Sequence, residues 1–207
     1  SLKETAGRWG HTTGHVWNFV LLPVNTTHLT VKLSPCYPET ANALLTYYVG
    51  NGREICMGLM RQSLPTFIIS FIILIVGIYM LGYWLLVCKS EDVDATLLYL
   101  GLFSVILGLW TANETDFAKL LLVNQHATTF AAYILLMAMP IPFVLFVRSF
   151  LDFDDKNIWR VFCGFSMVMC VISCVLHFTG IWELRQSLIL THIVIVGLLI
   201  YLMRAIV

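Results

Sequence analysis

The sequence predicts a mainly α-helical membrane protein, an antiparallel bundle of about five transmembrane helices preceded by the C-terminal part of an extracytoplasmic β-sandwich. Composition is the first observation behind this: 59% of the 207 residues are hydrophobic, 12% are charged, and the mean hydropathy is +0.85. A soluble domain is about half apolar and about a quarter charged. The second is clustering, because a more polar first part gives way to long apolar runs, as expected where lipid is the solvent. The third is a change of period, from alternation near the N-terminus to unbroken runs later.

Residues 1–60 read as strands and turns. His28 to Ser34 alternates polar with apolar, as a half-buried strand does, and Pro35 closes it. Val16 to Leu22, ended by Pro23, and Leu44 to Val49, ended by Gly50-Asn51-Gly52, are the other candidates. Three strands do not bury a sheet face alone, so the remaining strands of the sandwich are expected upstream.

Residues 61–207 form the transmembrane region, with spans expected at about 64–87, 97–112, 127–147, 158–176 and 187–203. The first has no charge from Leu64 to Val87 and at 1.5 Å per residue exceeds the roughly 30 Å hydrocarbon core. The second is short, which suits an interfacial or buried helix, yet its Ser104-x-x-x-Gly108 spacing suits close contact with a neighbouring helix. Pro140 and Pro142 interrupt the third, where a kink is tolerated if neighbours satisfy the freed carbonyls. The connections are short, which favours antiparallel neighbours.

Loop charges set the orientation. With the N-terminal segment outside, the inner segments carry Lys89, Arg148, Lys156, Arg160 and Arg204, against Lys119 and Arg185 in the outer loops. Arg53 and Arg61, ahead of the first span, narrow that margin. The formal net charge of +0 excludes nucleic acid as a partner, since phosphate binding needs Lys and Arg in excess on one face.

No motif for enzyme chemistry is present: there is no glycine-rich phosphate loop, and the six cysteines form no C-x-x-C pair. Cys36 and Cys56 have a disulfide open to them if their segment is exported; two unpaired thiols are the alternative. Cys88, Cys163, Cys170 and Cys174 lie in or beside apolar helices as small hydrophobes. Asp152 to Asn157 reads as a solvated turn capping the next helix. Asn25-Thr26-Thr27 and Asn113-Glu114-Thr115 match the glycosylation sequon, a weak pattern. The chain begins without Met and ends on Ala205-Ile206-Val207, still apolar, so a longer parent is expected.

With the N-terminal segment outside, Asn113, Glu114, Asp116, His126, His177, Glu183 and His192 fall toward the outer end of the bundle. Ionisable groups at membrane depth are costly unless they face a cavity or one another, so Asn113, Glu114, Asp116, His126, His177 and His192 are the candidate contacts for an extracytoplasmic small ligand or protein. Trp17 and Tyr48 are weaker candidates, with sandwich core as their plainer reading. His177 and His192 lack the i, i+4 spacing of a helical metal site and no carboxylate pairs with them, so no metal or cofactor is expected. Gly164-Phe165-Ser166-Met167 with His192 is a faint echo of an intramembrane serine protease.

Val16-Trp17-Asn18-Phe19 with Leu29 to Leu33, Tyr48-Val49-Gly50-Asn51 leading to Leu64-Pro65, and Leu98 to Ser104 running to Trp110 and Asn113-Glu114-Thr115 together resemble bacterial seven-transmembrane receptors with diverse intracellular signalling modules. More narrowly, the chain is similar to the sensory half of clostridial-type proteins ending in a GGDEF diguanylate cyclase domain. The resemblance implies a jelly-roll-like outer domain, seven helices, a place in the bacterial cell membrane and a cytoplasmic output domain after the last helix. The chain departs from that pattern with about five spans and no GGDEF motif, so no cyclase residue carries over. A signal-transducing receptor region is therefore the expected function, with the lipid bilayer, the output domain of the same parent and a second copy as expected partners. A transporter or channel component is the alternative, supported by the Pro140-Ile141-Pro142 break.

Overall fold

The computed structural model describes residues 17, 19–23, 25–31, 47–88, 94–121, 125–151, 156–182 and 184–206. They form α1 (Gly52–Val87), α2 (Thr96–Glu114), α3 (Asp116–Leu121), α4 (Gln125–Ala138), α5 (Pro140–Leu151), α6 (Lys156–Phe178) and α7 (Leu184–Ile206). Gly52–Val87, Thr96–Glu114, Ala127–Leu151 and Trp159–Phe178 are long and apolar enough to cross a membrane, and Leu184–Ile200 is a shorter apolar stretch within α7. Their surfaces agree: Ile68, Ile69, Phe71, Ile72, Ile75 and Ile78 of α1 are all exposed. So large an outward apolar face marks a helix solvated by lipid or by another helix.

The N-terminal part differs from its sequence expectation. Among the described residues there is no strand: 17, 19–22, 28–31 and 47–49 are irregular, and the β-sandwich is not supported. Phe19, Val20, Leu21, Leu29 and Val31 are exposed, so the alternation covers no sheet face. α1 begins at Gly52, within the segment expected to be strands and turns. The Gly50-Asn51-Gly52 punctuation is a helix start: the Asn51 side chain accepts a hydrogen bond from the Arg53 N–H at 3.1 Å, and Glu54 sits in the positive first turn. At 36 residues α1 is about 54 Å long, well beyond the roughly 30 Å of hydrocarbon. Its first turns therefore project past the apolar layer.

α1 and α2 are antiparallel and almost in backbone contact. Ser63, Ser70 and Gly77 are buried at heptad spacing on α1, as are Gly101 and Gly108 on α2. A Cβ added at Gly77 would lie 2.8 Å from the Val105 nitrogen, and one at Gly108 would lie 2.9 Å from the Leu74 nitrogen and 3.0 Å from the Ser70 carbonyl oxygen. Without a hydrophobic force between helices in lipid, such small-residue seams let dispersion and close packing hold the pair. The seam needs no polar bond across it, because Ser70 donates to the Phe67 carbonyl at 2.7 Å and Ser63 to the Leu59 carbonyl at 3.0 Å within their own helix.

Beyond this pair, α4 and α5 link α2 to a cluster with α6 and α7. α2 packs on α4 and α5, with the Phe103 and Phe143 ring centroids 5.3 Å apart. α5, α6 and α7 close around Val144, Val147, Trp159 and Leu198. The chain breaks at Met139, where Pro140 and Pro142 remove two N–H donors and the apolar run divides into α4 and α5. α6 ends in a Schellman motif: Gly180 has φ +72°, its N–H donates to the His177 carbonyl at 3.0 Å, and the Ile181 N–H donates to the Leu176 carbonyl at 3.1 Å. The turn Asp152 to Asn157 falls mostly outside the described residues, as does Cys36; Cys56 lies in α1 as a free thiol.

At the α2 N-terminus, Asp94 accepts from the Thr96 N–H at 3.1 Å, the Thr96 hydroxyl at 2.6 Å and the Ser149 hydroxyl of α5 at 3.0 Å. The Thr96 bonds, helped by that of Ser149, hold the Asp94 carboxyl below its ordinary value of 3.8 despite slight desolvation. A depressed folded-state pKa means that the stabilisation is present above the ordinary value and is lost as pH falls through the lowered one.

Two outcomes follow. Gly77→Ala and Gly108→Ala should each destabilise the protein in detergent by about 1–3 kcal/mol from overpacking, less the roughly 1 kcal/mol that Ala gains over Gly in a helix. Gly82→Ala, which meets nothing within 4 Å, should be neutral or stabilising. Thermal melts of the three variants compare them directly, and equal behaviour would contradict the close seam. For Asp94, the melting temperature of the wild type should fall more steeply than that of Asp94→Ala as pH drops below about 4; parallel curves would exclude the carboxylate as a contributor.

Candidate functional site

The candidate residues separate into two corners at the end of the bundle where α2 passes into α3 and α6 into α7. In the first, Thr115 ends α2 and starts α3: its hydroxyl donates to the Ala112 carbonyl at 2.7 Å and accepts from the Ala118 N–H at 3.3 Å, and the residue is 5% exposed. That cap fixes Asp116 at the head of α3, and Phe117 turns onto Phe67 of α1 with ring centroids 4.6 Å apart. Asp116 then accepts a 2.8 Å hydrogen bond from the indole N–H of Trp17, 99 residues away in sequence. The Trp17 ring also lies against Tyr48, centroids 5.7 Å apart, just ahead of α1. Glu114 pairs with Lys119 at 3.2 Å.

Asn113 links the corners by donating to the Thr128 carbonyl of α4 at 2.8 Å. Its amide and the Thr115 hydroxyl are both committed to the fold, which weighs against the sequon reading of Asn113-Glu114-Thr115. In the second corner, His177 of α6 packs against Phe130 of α4 at 5.3 Å and Phe178 at 5.8 Å. It is 9% exposed, and neither ring nitrogen has a hydrogen-bond partner. Ser187, in the first turns of α7, is 2% exposed, and its hydroxyl also lacks a partner.

Of the six residues expected from sequence, the structure thus gives Asn113, Glu114 and Asp116 partners around α2 and α3 and sets His177 in the second corner. His192 is apart from both. Its ring is exposed on α7, and its Nδ1–H donates to the Leu188 carbonyl at 2.7 Å, because the helical phase that buries Leu184, Ser187, Val194 and Leu198 turns residue 192 outward. This also separates it from Ser166, which is buried on α6, and removes geometric support for the protease echo. His126 lies in α4 with its side chain outside the described residues, as Glu183 does entirely. Among the described residues no group of three His, Cys, Asp or Glu side chains is placed to hold a metal ion.

Sequence reasoning missed Thr115, Phe130, Lys119 and Ser187. Thr115 ahead of Asp116 is a readable cap signal, and Ser187 shares the inward stripe with Leu184, but nothing local announces a bond from Trp17 to Asp116. No family model, curated protein or solved structure matches the chain, so its resemblance to seven-transmembrane sensors rests on the quoted sequence motifs alone.

Proposed function

We propose that this chain is the membrane-embedded sensory region of a bacterial receptor, which passes an extracytoplasmic stimulus through its helices to a cytoplasmic output domain beyond this sequence. The observation that carries the reading is the Trp17–Asp116 hydrogen bond, which joins the N-terminal segment to α3. α3 in turn packs on α1 and α2, so a stimulus that moves Trp17 has a short mechanical route into the spans. Such a relay requires the stimulus to favour one helix arrangement over another. In this reading α7, with its shorter apolar stretch, is a fifth span, and the modest Lys and Arg bias of the loops supports an N-terminal segment outside the plasma membrane. The resemblance extends the reading to an output domain of diguanylate cyclase type.

The α4–α5 break at Met139 is the one observation favouring a transporter or channel component. Against it, Asp, Glu, Lys and Arg occur only toward the ends of the four spanning stretches, leaving no ionisable group of these kinds at mid-depth.

The relay is tested in proteoliposomes through Cys88, which follows α1 at the end opposite Asn51. Trp17→Phe, which deletes the indole donor, and Asp116→Asn should each change the rate at which Cys88 reacts with a membrane-impermeant maleimide by a factor of about 3–10, equivalent to roughly 0.7–1.4 kcal/mol. Thr26→Ala, in the exposed N-terminal turn, should not. Unchanged rates in both variants would defeat the relay, and a reading frame that closes just past Val207 would deprive it of an output.

A further inference from the structure

Cys170 and Cys174 stand one turn apart on α6, and both are free, half-buried thiols. Residues four apart on a helix are neighbours on its surface, with Cβ atoms about 5–6 Å from each other. Here the two thiols are in hydrogen-bonding contact. They lie on the flank of the helix, between an inward stripe of Ser166, Ser173 and His177 and an outward one of Val171, Ile172 and Val175. Cys163, two turns nearer the start of α6, packs instead on the core that α5, α6 and α7 share.

The setting restricts what such a pair can take. Trp159–Phe178 is long and apolar enough to cross a membrane, and a charged product in hydrocarbon is costly. Zinc in a structural site asks for four donors, yet among the described residues no third His, Cys, Asp or Glu joins the pair. A linear two-coordinate cation such as Cu(I) or Hg(II) would hold the sulfurs on opposite sides of the metal, and with Cu(I) the product would be anionic. A trivalent arsenical carrying one organic substituent meets both conditions. Its arsenic is pyramidal, so two sulfur ligands sit side by side, and the product is uncharged.

We propose that Cys170 and Cys174 form a dithiol capture site for monosubstituted trivalent arsenicals, which bridge the two sulfurs across one turn of α6. In the exchange each sulfur forms a bond to arsenic as an arsenic–oxygen bond breaks, the thiol proton leaves with the hydroxyl as water, and arsenic stays trivalent. No charge is created and nothing is oxidised. A lone thiol makes one such bond and yields it to any competing monothiol. The second thiol, already held in contact by the helix, closes the ring at a high effective concentration. The assignment uses neither Trp17 nor an output domain, so it stands or falls apart from the sensor reading.

The test uses the full chain in lipid nanodiscs, incubated with phenylarsine oxide and excess glutathione as the competing monothiol, and reads the intact mass. The wild type should retain a phenylarsenic group held through two sulfurs and release it to 1,2-ethanedithiol. Cys170→Ser and Cys174→Ser should each lower retention by a factor of about 100 or more, the scale of a lost second attachment. Cys170→Ala should match Cys170→Ser, which separates loss of the thiol from the effect of a new hydroxyl in an apolar helix. Cys163→Ser and Cys88→Ser should retain the group as the wild type does. No retention by the wild type, or unchanged retention in both Cys170→Ser and Cys174→Ser, would overturn the site. An equal loss in Cys163→Ser would overturn its assignment to these two thiols.

Discussion

A peptide group in hydrocarbon has no water to bond, so each span must satisfy its own N–H and C=O groups, and only coiling does that for a lone segment. The constraint reaches further than secondary structure. It places the remaining polar side chains where a carbonyl of the same helix is within reach, as with Ser63, Ser70 and Thr111, each donating to a carbonyl three or four residues back. It also leaves helix association to dispersion and shape, which is why the closest pairing, α1 with α2, runs along Gly77, Gly101 and Gly108 rather than along large side chains.

The polar bonds between segments gather where the spans end. At one end Asp94 and Thr96 meet Ser149; at the other Asn113 meets Thr128 and Trp17 meets Asp116. The pattern is an apolar middle with polar fastenings at both rims. His177 and Ser187 depart from it, being interior polar groups without such a fastening.

How much of this was legible followed from physical range. Spans were readable because hydropathy is a property of contiguous residues, and the Pro140 and Pro142 break lay where proline chemistry puts it. The Ser104 to Gly108 spacing likewise announced a close helix face, and both residues turn toward α1. The start of α1 was missed because Arg53, Glu54 and Arg61 dilute the apolar signal, although Asn51 was a usable cap. The alternation from His28 onward suggested a strand, but period two identifies a face only when something covers it, and Val31 is exposed. Asn113 and Asp116 were legible only as polar residues at a helix end, whereas helical phase, which sequence hydropathy alone did not fix for α7, sent His192 outward and Ser187 inward.

Amide hydrogen exchange of the full chain in lipid nanodiscs tests the governing constraint most directly. The account predicts strong protection from Phe67 through Val87, with faster exchange over Gly52 to Arg61 of the same helix, because hydrocarbon covers one part and water the other. Uniform exchange along all of α1, or the same protected profile from a monodisperse sample in buffer without lipid or detergent, would contradict it.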